Sequence, residues 1–399
     1  MQNYSNSLSH QRIYLDYNAT TPHLPELRSR WAELGDLSGN PSSIHFDSRV
    51  PKTVIRETRQ KIAELLSCSP LEIVFNSGAS EGNSSVLRSL FDHFKNQQRN
   101  EFLISQVEHP SVQKTVHYLS SQGAIIHFIP VSKDGRIDLN FIREKLSAKT
   151  ALVSVMYANN ETGTVFPIKD IAELAHAVGA YMHSDCVQLL GKANVEFADL
   201  GVDYATFSAH KLYSIKGTGF CFIRKNSPWV PLIHGGGQER GRRGGTENVI
   251  GIAALNIVLD EFRNCESKIA LMSNLRDSME QKIIASIPDV SITAEVAPRI
   301  SNTSSLIIDG IDGETLLMTL DLKGFSVSTG AACSSGNPEP SPVLLAMGLT
   351  KQEAQSSLRV SLGWATQESQ IHSFVQTLSD TVLKLREINS EEKKKSHAI

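Results

Sequence analysis

Residues 151–185 read ALVSVMYANNETGTVFPIKDIAELAHAVGAYMHSD. ALVSVMY is a nearly unbroken apolar run of strand length, the pattern of a strand covered on both faces. In DIAELAHAVGA, Ile171, Leu174, Ala175 and Val178 share one helical face. YMHSD then reads as a second short strand. Strand, helix and strand in this order form a βαβ unit, because parallel strands need a long crossover and a helix supplies it.

The same alternation extends to both sides. LEIVF leads through a Gly/Ser turn into EGNSSVLRSLFDHF, with the helix expected to begin near Glu81. EFLISQ precedes SVQKTVHYLSSQG, AIIHFIPV precedes DLNFIREKLSAKT, and VDYATFS and GTGFCFIRK follow YMHSD. The expectation is an α/β fold with a large, mostly parallel sheet covered by helices, whose ligands bind beyond the carboxyl ends of the strands. After a glycine cluster near 235–245 the texture changes. A long helical stretch over about 248–287 precedes SSLIID and FSVST, with helices at GETLLMTLDL and SDTVLKLREI. This predicts a smaller α+β unit, so residues 16–262 form a large domain and residues 1–15 with 263–399 a small one.

Bulk properties narrow the function. The chain has 399 residues, 40% hydrophobic and 20% charged, an ordinary globular composition. A net charge of −3 gives no electrostatic case for nucleic acid or an anionic membrane. The N-terminal MQNYSNSLSHQR lacks the apolar core of a signal peptide, and no run is long and apolar enough to span a bilayer. The five cysteines (Cys68, Cys186, Cys221, Cys265 and Cys333) form no CxxC pair. That argues against a disulfide framework or an intrinsic metal site and predicts a cytoplasmic setting.

Five features fall where strands should end. FNSGASEGN, with Ala79 and Ser80, offers small residues and free N–H groups at a helix start, which suit a phosphate or form a plain capped turn. His109 in VEHP is, alone, more often structural than functional. Asn159 and Asn160 in YANNETGTVFP are ligand donors or local Asx-turns. HSDCVQ carries Asp185 and Gln188, and FSAHK carries Ser208, His210 and Lys211. Each alone has a bland explanation. Together they supply an amine nucleophile, a carboxylate for a pyridine nitrogen, donors for a phenolic oxygen, a ring to pack on a cofactor face and a phosphate cup. One pyridoxal 5′-phosphate needs all of these.

YLDYNATTP, GNPSSIH, SGASEGN, EHP, NNETGTVFPI, DCVQLLGK, SAHK, HGGGQERGRRGGTENV and STGAACSSG follow one another along the chain. In this order and spacing the sequence resembles a cysteine desulfurase of the NifS/IscS type, in the class-V aminotransferase group, with pyridoxal-phosphate fold type I. The resemblance implies Lys211 as the lysine that attaches the cofactor, His109 stacked on its ring and Asp185 at its pyridinium nitrogen. It implies Asn160 and Gln188 near the phenolic oxygen, and Ala79, Ser80, Ser208 and His210 around the phosphate. Thr246 would reach the phosphate of a neighbouring subunit in a homodimer. Arg359, with Asn160, would bind the substrate carboxylate.

Cys333 would be the sulfur acceptor, taking sulfur from L-cysteine as a persulfide and leaving L-alanine. The persulfide would pass to a protein acceptor, an iron–sulfur scaffold or a sulfur carrier, and could ligate a cluster transiently. Selenocysteine lyase and aminotransferase are the rival activities. Three departures from the family pattern stand out. Ser214-Ile215 replaces Gly-Pro beyond the cofactor lysine, Ser80 replaces threonine, and Gly244 stands where serine or alanine is common.

Overall fold

The computed structural model describes residues 12–330 and 339–396, with side chains described to residue 391. Seven strands form the central sheet in the spatial order Ile73–Asn76, Gly219–Ile223, Tyr204–Ser208, Tyr181–Asp185, Thr150–Ser154, Glu101–Ser105, Ile125–Ile129. The βαβ unit is present. Leu152 pairs with Tyr181 and Ser154 with His183 in parallel register, and helix Ile168–Ala177 makes the crossover. Thr150–Ser154, Tyr204–Ser208 and Gly219–Ile223 are buried along their whole length, which explains their unalternating apolar sequences.

One strand breaks the parallel pattern. Gly219–Ile223 runs antiparallel to both of its neighbours. The connection from Ser208 carries only a 3-10 turn, Ala209–Lys211, and no crossover helix, so the chain reverses.

The helical stretch expected over 248–287 is three pieces. Val249–Leu259 and the 3-10 turn Asp260–Phe262 are followed, after a break, by Glu266–Ser286. The two helices serve different cores. Val249–Leu259 packs on helix Arg49–Leu65, whereas Glu266–Ser286 packs on Glu368–Ser396. Apolar clusters cover both faces of the large sheet. A separate cluster joins Leu275, Met279 and Ile283 to Leu306, Leu358 and Phe374 around an antiparallel sheet of Val290–Ile292, Thr303–Ile308 and Ser357–Ser361.

The segment before the first helix ties these parts together. Ile13–Tyr14 pairs with Phe325–Ser326, and Asp16 bridges to Ser361. Leu15 is buried in the cluster around the smaller sheet and Tyr17 in the main one, so Asp16 and Asn18 lie at the junction of the two cores.

Candidate active site

A cavity of about 580 Å³ opens at the carboxyl ends of Tyr181–Asp185 and Tyr204–Ser208. Ala79, Ser80, His109, Asn160, Asp185, Gln188, Ser208, His210, Lys211 and Arg359 all line it. Residues spread over most of the sequence therefore converge at the sheet edge where an α/β fold places its ligands.

Its floor is the start of helix Ala79–Phe94, two residues earlier than the sequence suggests. Gly78 precedes it at φ 144°, and no side chain caps the helix. Asn76 Oδ1 accepts from Gly78 N at 2.9 Å and Glu81 Oε2 from Ser77 N at 3.0 Å, which fixes the turn. A Cβ at Gly219 would fall 2.6 Å from Gly78 Cα, so glycine at 219 lets the turn sit against the sheet. Free helix N–H groups beside the Ser80 and Ser208 hydroxyls make an anion cup.

Asp185 ends its strand and is buried. Its carboxylate accepts from Val187 N at 3.0 Å and from Asn83 Nδ2 at 2.7 Å. Asn83 Oδ1 accepts from Thr206 Oγ1 at 2.5 Å, and Asn83 Nδ2 also reaches Ser111 Oγ at 2.9 Å. His109 precedes helix Pro110–Ser121, and its Nδ1 accepts from Ser111 N at 3.1 Å. Burial pushes the His109 pKa down, against the pull of Asp185, so the ring is neutral at neutral pH.

The paired asparagines divide their roles. Asn159 turns inward, accepting from Glu161 N at 2.8 Å and Thr162 N at 3.0 Å, and so forms the local turn. Asn160 faces the cavity. Lys211 Nζ donates to the Asn18 carbonyl and, at 2.6 Å, to the Ala19 carbonyl. Burial and then the Arg359 charge bring its pKa down to about 8, while Asp16 and Asp185 oppose them. Arg359 Nη1 donates to Asn160 O at 3.2 Å, and its Nε is buried with no partner among the described residues.

Thr246 lies outside this cavity. It lines an adjoining hollow of about 190 Å³, which shares Ser77 and Gly217 with the cavity. Cys333 lies outside the described residues. The other four thiols are free, and burial raises the pKa of each, that of Cys68 to about 12. They are poor nucleophiles. Among the described residues no cluster of three or more His, Cys, Asp or Glu side chains is placed to hold a metal, and no helix is long and apolar enough to cross a membrane.

Two of the departures from the family pattern have local explanations. Beyond Lys211 the left-handed position is taken by Tyr213, at φ 59°, and Ser214 N closes the turn on Ala209 O at 3.1 Å. Ile215 therefore needs neither glycine's freedom nor proline's ring. A Cβ at Gly244 would lie 2.6 Å from Gly235 N, so two backbones touch there and a side chain has no room. Asn18, Asn83 and Asp16 escaped the reading of the sequence, although the quoted motifs YLDYNATTP and SGASEGN contain them.

Residues 13–374 match the aminotransferase class-V family. The chain belongs to that family. Among curated class-V relatives, a cysteine desulfurase of Trichormus azollae is 39% identical over 380 residues, covering 94% of each chain. A cysteine desulfurase IscS of Dictyoglomus turgidum is 36% identical over 381 residues, covering 95% of this chain and 96% of that one. A solved NifS-like protein superposes with a TM-score of 0.85 at 32% identity, covering 93% of this chain and 99% of its own. SspA in complex with cysteine superposes at 0.77 with 30% identity, covering 88% and 98%. Within the class-V family the chain is of the cysteine desulfurase, NifS/IscS type.

Class-V aminotransferases use pyridoxal phosphate, and this cavity fits it. The uncapped helix start suits a phosphate, the buried Asp185 suits a pyridinium nitrogen, and Lys211 is a lysine of lowered pKa.

Proposed function

We propose that this chain is a pyridoxal-phosphate-dependent cysteine desulfurase, converting L-cysteine to L-alanine and passing the sulfur to Cys333 as a persulfide. The observation that carries the reading is the convergence of Lys211, Asp185, His109 and Arg359 on one cavity beside an uncapped helix start. Ala79, Ser80, Ser208 and His210 would hold the phosphate. Asn160 and Gln188 would meet the phenolic oxygen, and Thr246 would serve a partner subunit's site in a homodimer. The division into residues 16–262 and 1–15 with 263–399 belongs to the same proposal, as does a protein acceptor for the sulfur.

The bound cofactor would supply an electron-accepting ring that stabilises negative charge at the substrate α-carbon. Asp185, fixed by Asn83 and Val187, would hold the proton on a pyridine nitrogen of the bound cofactor. Arg359 binds the substrate carboxylate through its planar fork. Lys211, with a pKa of about 8, is partly a free amine near neutral pH and can hold the α-proton. His109, neutral in the wall of the cavity, moves a proton at the substrate sulfur. The Cys333 thiolate then attacks that sulfur. The carbon–sulfur bond breaks, a sulfur–sulfur bond forms, and the carbon is protonated to give alanine.

Purified protein loaded with pyridoxal phosphate should release alanine and, with a thiol reductant, an equal amount of sulfide from L-cysteine. C333A should keep the cofactor's visible band and lose sulfide release, whereas K211A should lose the band. Full activity of C333A would overturn the reading. Mass spectrometry separates the rivals, because an aminotransferase leaves Cys333 unmodified and a selenocysteine lyase consumes only the selenium analogue.

A further inference from the structure

Lys192 lies behind the cavity wall, 5% exposed, on the segment that follows Asp185 and Gln188. Its Nζ donates to Gln188 Oε1 and, at 3.2 Å, to Asn18 Oδ1. Both partners are neutral amides, and no carboxylate of the described residues forms a salt bridge with it. A buried lysine held by two amide oxygens and no counter-ion is costly. Such a residue calls for a role beyond packing.

The bonding around it has a definite direction, because backbone carbonyls sit at its ends and can only accept. Asn302 Nδ2 donates to Leu362 O at 3.0 Å, so Asn302 Oδ1 is the atom that accepts from Thr303 Oγ1, also at 3.0 Å. The Thr303 oxygen then accepts from Asn18 Nδ2 at 2.7 Å, and the same nitrogen donates to Asn160 O at 3.0 Å. Asn18 Oδ1 is thereby left to accept from Asn302 Nδ2 at 3.1 Å and from Lys192. The direction continues to Gln188. Its carbonyl faces Lys192, and its Nε2 faces the Asn18 carbonyl at 3.5 Å. One Gln188 N–H meets that carbonyl and the second is free for the cavity.

We propose that Lys192 is a positioning residue that locks the Gln188 amide with its nitrogen, not its oxygen, presented to the ligand. This rests on the reading that the cavity holds pyridoxal phosphate with its phenolic oxygen near Gln188. Without Lys192 the amide is free to turn over and set an acceptor against that oxygen. A neutral Lys192 weakens the lock, because its lone pair can accept from a turned amide whereas an ammonium can only donate. Burial, and then the Lys211 and Arg359 charges, lower its pKa well below the ordinary lysine value, but a neutral amine still has two N–H groups for two amide oxygens.

The test is a pH titration of the cofactor's visible band in the loaded K192M, Q188L and K192M/Q188L proteins. A donor on the phenolic oxygen favours its anionic form, so losing it moves the midpoint upward, by about one pH unit. K192M and Q188L should each shift the midpoint by that amount, and the double variant no further. An unmoved midpoint in K192M, even with a lowered melting temperature, overturns the assignment, as does an additive shift in the double variant. Should K192M fail to fold, neutron diffraction of the loaded wild-type protein decides instead. Deuterons on the Gln188 atom facing the cavity support the lock, and deuterons on the atom facing Lys192 overturn it. A wild-type protein that takes up no cofactor contradicts the functional reading itself.

Discussion

Arg359 Nη2 lies 2.7 Å from Asp16 Oδ1, so the guanidinium proposed to bind substrate already has a carboxylate on one edge. Asp16 orients the fork and leaves the buried Nε without a partner among the described residues. D16N should raise KM for L-cysteine roughly tenfold and change kcat less, since it loosens a binding group. Steady-state kinetics check this. The same variant should lower the Lys211 pKa, because Asp16 opposes its depression.

Lys211 gives a pH signature. With its pKa at about 8, the amine is increasingly free as pH passes through that value. The rate at which cofactor-free protein takes up pyridoxal phosphate should rise through about pH 8 and level off above it. R359Q should move that midpoint upward by removing a nearby positive charge. Stopped-flow absorbance reads both.

Glu161 carries a second pH effect. Its carboxyl accepts from Ser341 Oγ, and burial pushes its pKa up to about 7 from the ordinary 4.5. Between those values the folded protein binds more protons than the unfolded chain, so this group's contribution to stability falls as pH rises through the window. E161Q lacks that loss. Its melting temperature relative to wild type should climb from pH 4.5 to about 7 and then stay level.

The glycine-rich turn hangs on a buried ion pair. Arg59 Nη2 lies 2.6 Å from Glu239 Oε1, and Glu239 Oε2 accepts from Phe75 N at 2.9 Å, both side chains being buried. E239A strands the Arg59 charge and the Phe75 N–H, a loss of about 3–5 kcal/mol. Denaturant unfolding should show it. R59M/E239L should recover part of the loss by replacing both charges with apolar groups.

The large sheet and its ligand edge were legible because periodicity reports burial directly, as in ALVSVMY and Tyr204–Ser208. The antiparallel Gly219–Ile223 was not, since its apolar run looks the same in either direction and only the short connection tells. Helix Arg49–Leu65 was also missed; its buried face includes Thr58 and Arg59, which the apolar count leaves out. The cavity residues were legible where the quoted motifs name their chemistry, as for Asp185 and Lys211. Asn18 and Asn83 act through partners far away in sequence, and Lys192 joins its neighbour Gln188 to the distant Asn18, so a linear reading has no term for such pairs.

Asn18 has a consequence for how the protein is made. It bonds to Asn160, Lys192, Lys211, Asn302 and Thr303, and Asn302 in turn bonds to Leu362. Asn18 thus waits for partners translated 284 and 285 residues later. A nascent chain that has not yet delivered Leu362 from the ribosome lacks the anchor of that network. The network behind Lys192 and Lys211 therefore closes only after Leu362 has been added.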